Sequence, residues 1–87
     1  MKHRRGHSLD EKLRELEDLA EFATIPGANA VYLNQAGDAC IAAGEFERGL
    51  QYIGRAIDAH VKADRFIAAM ALCKKVLRLN PEVVRAR

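Results

Sequence analysis

Cys40, Cys73 and His60 offer this chain its richest chemistry. Two thiolates and an imidazole brought together could begin a zinc site. Zinc asks for four ligands, usually supplied in closely spaced pairs, and no CxxC or paired histidine provides them here. Each of the three residues instead sits among apolar neighbours at helical spacing. They read as core side chains, with the thiols serving as small hydrophobes. No Ser-His-Asp grouping, paired carboxylates, P-loop or GxGxxG stands out. The sequence predicts no catalytic residue, no metal and no cofactor, and a protein that is not an enzyme.

The other chemically suggestive stretches are basic. "MKHRRGH" carries Lys2, Arg4 and Arg5 but no aromatic residue on which a base could stack, so its nucleic-acid signal is weak. Residues 1–7 read as a basic flexible tail. No apolar segment follows them as it would in a secretory signal. No run approaches the roughly 18 apolar residues that span a membrane. With no disulfide pattern either, the reading is cytoplasmic. Charge is unevenly placed: ten acids face four bases in residues 8–60, and seven bases face two acids in 61–87. Such asymmetry points to charge-complementary packing or an acidic partner, against the plainer reading of solvated helix faces.

Helices must position these groups. Ala, Leu, Glu, Lys and Arg dominate, and period-2 alternation never persists. "SLDEKLRELEDLAEFA" predicts a helix over about 9–24. Ser8 and Glu11 would form a capping box, and Leu9, Leu13, Leu16, Ala20 and Ala23 an apolar stripe. Pro26 and Gly27 break it. A second helix, about 28–43, turns Leu33, Ala36, Cys40 and Ala43 to one side, with Gly37 permitting close approach of a neighbour. Gly44 ends it. A third, about 45–61, has Phe46, Leu50, Ile53, Ala56, Ile57 and His60 on its apolar face. A fourth, about 65–79, has Phe66, Ala69, Met70, Cys73, Val76 and Leu77 inside, with Lys74, Lys75 and Arg78 outside. Asn80-Pro81 stops it, and Pro81 can open another helix over 81–87 that the chain's end cuts short, which suggests a longer parent. Residues 8–87 read as one all-α domain of antiparallel helical hairpins, about four helices in a stack.

One feature of the chain repeats. "AGEFERGLQYIGRAI" at 43–57 is echoed twenty residues later by "ADRFIAAMALCKKVL", with Ala43 on Ala63 and Phe46 on Phe66. Leu33, Ala36-Gly37, Cys40, Gly44-Glu45-Phe46, Gly49 and Ala56 follow the large, small, turn, aromatic, small order of a tetratricopeptide repeat. The stretch from about 30 to 81 resembles that family in a degenerate form. Its offset is twenty residues rather than the usual thirty-four, so residues 46–60 would serve two repeats at once. Phe46 and Phe66 would fill equivalent clefts between helices. The resemblance is to segments found in bacterial multidomain and signalling proteins.

The resemblance implies a groove that binds peptides or helices. Carried onto this chain, it draws on Asn34, Asp38 and Ile41 of the second helix, extended by Gln51, Arg55 and Asp58 of the third. Leu9, Leu13, Leu16 and Ala20 would either cap the stack or pair with another chain. The expected function is a non-enzymatic interaction or adaptor module whose partner is another protein or its own copy. The rivals are a structural or dimerisation segment of a larger protein, and a nucleic-acid binder using the basic ends.

Overall fold

The computed structural model describes residues 8–79, which form four α-helices: α1 (Leu9–Phe22), α2 (Ala28–Ala42), α3 (Phe46–Lys62) and α4 (Phe66–Leu79). No strand occurs among them. The expectations for residues 1–7 and 80–87, including the Asn80-Pro81 stop, lie outside the described residues. Each helix packs antiparallel on the next, α1 on α2, α2 on α3 and α3 on α4.

The core sits where the first three helices meet. Leu13 and Leu16 of α1 join Ala30, Leu33, Ala36 and Cys40 of α2 and Tyr52 and Ala56 of α3, with Leu9 and Ala20 packed at its edge. The α1 stripe is thus covered within the chain. Burying each large aliphatic side chain contributes roughly 1.5–3 kcal/mol. Alanine and glycine at the interface let the helices come close. A Cβ on Gly37 would lie 2.6 Å from Ile53 Cγ1 and 2.9 Å from the Gly49 carbonyl oxygen. A Cβ on Gly49 would lie 2.6 Å from Ile41 Cγ1 and 2.8 Å from the Gly37 carbonyl oxygen. α2 and α3 therefore cross glycine on glycine, each covered by an isoleucine of the other helix.

The sequence echo has a local cause. α2 ends in a Schellman turn: Glu45 N–H donates to the Cys40 carbonyl at 2.8 Å and Gly44 N–H to Ile41 at 3.0 Å, with Gly44 at φ 86°. α3 ends the same way. Arg65 N–H donates to the His60 carbonyl at 2.8 Å and Asp64 N–H to Val61 at 3.0 Å. "AGEF" and "ADRF" are thus two copies of one turn, each leading into a helix that starts at phenylalanine. The 17 residues of α3 and a three-residue connection make up the offset of twenty.

The second copy lacks glycine where the turn needs the left-handed region, and Asp64 takes φ 61°. Asp64→Gly is expected to raise stability by about 0.5–1 kcal/mol. The left-handed penalty of a residue with a Cβ is about 1–2 kcal/mol, and the entropy glycine adds to the unfolded chain offsets about 0.5–1 of it. Urea melts of the two proteins measure the difference. A loss of stability would show that the Asp64 side chain supports the turn.

Several expectations are corrected. Ser8 precedes α1 in extended backbone, but its side chain makes no capping hydrogen bond, and the Ser8 carbonyl accepts from Lys12 N–H instead. α1 stops at Phe22, with Ala23 extended. Phe46 is half-buried, but Phe66 is 55% exposed and fills no cleft equivalent to it. Met70, Cys73 and Leu77 are exposed as well. α4 meets α3 through Ala69, with Leu72 packed against the core. Leu72, Val76 and Leu79 are half-buried, and Phe66, Met70, Cys73 and Leu77 are left facing out.

Candidate functional site

Two sets of polar contacts tie helices that are not consecutive. Between α1 and α3, the Tyr52 hydroxyl donates to Glu17 Oε2 at 2.6 Å, and Arg55 donates to both Glu17 oxygens at 3.3 Å while lying 5.3 Å from the Tyr52 ring centre. Further along the same seam, Arg48 bridges Asp10 at 3.2 Å and Glu45 at 2.9 Å. Asp10 and Glu17 lie seven apart on α1, while Arg48, Tyr52 and Arg55 follow at four and three on α3. The two helices therefore present matching rows. The Tyr52 hydroxyl, then Arg55, hold the Glu17 carboxyl below its usual range. Burial, aided by the bond to Glu17, pushes the Tyr52 phenol up to about 12.

Between α4 and α2, Lys75 Nζ donates to Asn34 Oδ1 at 2.9 Å and to Asp38 Oδ1 at 2.7 Å. Lys75 therefore does not share the outward side with Lys74 and Arg78. The acidic first helix is met by Arg48 and Arg55 of α3, and the base from α4 goes to α2.

The six residues drawn from the repeat resemblance do not share one surface. Asn34 and Asp38 are bound to Lys75. Ile41 covers Gly49 at the α2–α3 crossing. Gln51 and Arg55 flank Tyr52 in a shallow depression of about 140 Å³. Arg55 and Asp58 line a second hollow of about 260 Å³ with Asn29 and Leu33. This α1–α3 side is polar and open, and its two arginines, Arg48 and Arg55, are already paired.

The apolar opening is elsewhere. A hollow of about 600 Å³ lies against Asp64, Arg65, Phe66, Ile67, Ala68 and Ala71 at the start of α4. Ile67 is 85% exposed and Met70 58%, and Leu77 continues this side one turn beyond Lys74. Phe66, Met70 and Leu77 fall on one side at helical spacing. The sequence did identify this stripe, but its expected direction was inward.

Of the three residues with metal-ligand chemistry, Cys40 and His60 are buried and Cys73 is exposed. Among the described residues no three His, Cys, Asp or Glu side chains gather where an ion could sit. Burial raises the Cys40 thiol pKa, which keeps it protonated and unreactive. Burial, with Arg65 nearby, lowers that of His60, whose Nδ1 meets no hydrogen-bond partner among the described residues. His60 is held as a neutral ring at the end of α3. Among the described residues no helix is long and apolar enough to cross a membrane.

The fold and its surfaces define a class: a small all-helical stack with sequential antiparallel packing, in which Phe66, Ile67, Met70 and Leu77 of α4 are exposed among the described residues. Compared with known proteins, the chain matches no family model, no curated protein and no solved structure at a significant level.

Proposed function

We propose that this chain is a non-enzymatic protein–protein interaction module, a degenerate tetratricopeptide-like stack that receives a partner helix along α4. The observation that carries this reading is the outward apolar side of α4, with Phe66, Ile67, Met70 and Leu77 exposed together. A helix in such a stack buries one side on its predecessor and offers the other to a successor. Among the described residues α2 and α3 both use two sides in this way, and α4 packs on α3. Clustered exposed apolar residues rimmed by charge mark interaction surfaces, and Lys74 and Arg78 supply the rim here. The two unpaired thiols fit a reducing cytoplasm.

The same geometry gives the α2 surface a supporting role. Asn34 and Asp38 fix α4 to the stack through Lys75, while Gln51, Arg55 and Asp58 border hollows on the far side. Titrating isotope-labelled protein with a designed amphipathic peptide helix of leucine and glutamate tests the reading. Amide shifts should concentrate between Phe66 and Leu79. Shifts confined to Arg55 and Asp58 would move the site to the α1–α3 side, and an unperturbed spectrum would overturn the module.

A second reading, a self-associating structural segment, is favoured by one observation. The first and last of the described helices carry opposite charge. α1 has six acidic and two basic residues, and α4 has three basic and no acidic ones.

A further inference from the structure

We infer that the helix received by α4 is α1 of a second copy of this chain, laid antiparallel, so that copies stack head to tail. The inference rests on α4 being a docking face and names what docks there. The inward side of α1 is spent on Leu13 and Leu16 in the core, and one flank on the bonds of Asp10 and Glu17 to α3. Its opposite side is exposed and carries Arg14, Glu15, Asp18, Leu19 and Phe22 in chain order, with two acids to one base before the apolar pair. Acid lies toward the start of the helix and apolar surface toward its end, where Phe22 is 77% exposed.

The outward side of α4 runs the other way in chemistry. Phe66, Ile67 and Met70 open the helix, and Lys74 and Arg78 stand toward its end with Leu77 between them. Antiparallel alignment sets Leu19 and Phe22 against Phe66, Ile67 and Met70, and Glu15 and Asp18 against Lys74 and Arg78. Parallel alignment would set acid on apolar surface at one end and base on apolar surface at the other, desolvating charge without a partner. Antiparallel packing of neighbours is also how each consecutive pair of the described helices is built. The contact joins two different surfaces, so it is heterologous. It leaves a free α4 at one end and a free α1 at the other, and growth continues unless the ring closes.

Sedimentation velocity of the full chain at rising concentration tests this. The wild type should pass beyond dimer. Met70→Glu on α4 and Phe22→Glu on α1 should each weaken association by at least about tenfold, because each sets a carboxylate on the apolar contact. Mixing the two variants should restore a one-to-one complex, since the intact α4 of one meets the intact α1 of the other. Both positions are exposed, so far-UV circular dichroism should be unchanged. Should either variant lose helicity, Ile67→Glu or Leu19→Glu replaces it on the same face.

Undiminished association of the Phe22→Glu protein would show that α4 pairs with itself and would overturn the inference. So would a wild type that stays monomeric at every concentration. In that case the peptide titration still decides separately whether α4 receives some other helix.

Discussion

Gly49→Ala is expected to destabilise the fold by about 1–3 kcal/mol, while Gly54→Ala, five residues along the same helix, stabilises it by about 0.5–1 kcal/mol. Both glycines lie inside α3, and both substitutions gain the same helical preference for alanine. What differs is the space above each. Nothing lies within 4 Å of a Cβ on Gly54, whereas a Cβ on Gly49 meets the Gly37 carbonyl at 2.8 Å and Ile41 at 2.6 Å. The isoleucine can swing aside, but the carbonyl belongs to the α2 backbone and moves only if the helix moves. Separating α2 from α3 strips contacts from Ile53, Cys40 and Ala36, which are fully buried at or beside the crossing. Urea denaturation of the two variants beside wild type gives both signs in one experiment. A stabilising Gly49→Ala would mean that the two helices pack less closely than this geometry requires.

Much of the architecture was legible because helix ends are written in local chemistry. Pro26-Gly27, Gly44 and "KADR" place three connections within a residue or two, since they depend on which residues can leave helical φ and ψ. Gly37 announced a close crossing for the same kind of reason. Ser8 was misleading: a residue suited to capping still needs its hydroxyl aimed at the helix, and sequence does not set that rotamer.

The direction of α4 was not legible. Phe66, Met70, Cys73 and Leu77 make a stripe whose period proves a helix and an apolar side. The period is silent on what covers that side. Ala69, which faces α3, looked secondary beside larger neighbours. Covering required knowing that α3 already turns Tyr52 toward α1 and Ile53 toward α2, and that is a property of three helices together. Lys75 was hidden by the same limit, for its role follows from α4 leaning over Asn34 and Asp38. The α1–α3 seam left a faint trace. Acids seven apart on one helix and Arg48, Tyr52 and Arg55 at four and three on another could have been matched, but only after deciding that those two helices touch.

Tyr52→Phe is expected to cost about 1–2 kcal/mol at neutral pH and to flatten the pH profile of stability at both ends. The phenylalanine keeps the ring in the core and removes one hydroxyl, which donates to a charged oxygen at 2.6 Å. Hydrogen bonds to charged groups contribute about 1.5–3 kcal/mol, and the value here falls toward the low end because Glu17 keeps contact with water and with Arg55. The acid limb follows from Glu17. Its folded pKa lies below its ordinary 4.5, so its stabilising contribution is present above that value and is lost as pH falls through the folded one. The alkaline limb follows from Tyr52. Its folded pKa lies above the ordinary 10.0, so stability is held below 10 and lost as pH rises toward about 12. Removing the hydroxyl takes away the tyrosine's share of the alkaline limb and weakens the acid one. With Tyr32→Phe as background, Tyr52 is the one remaining tyrosine of two, and its phenolate absorbance should appear near pH 12. A midpoint near 10 in folded protein would show the hydroxyl open to water, and α1 would then be held to α3 by its ion pairs and apolar stripe alone.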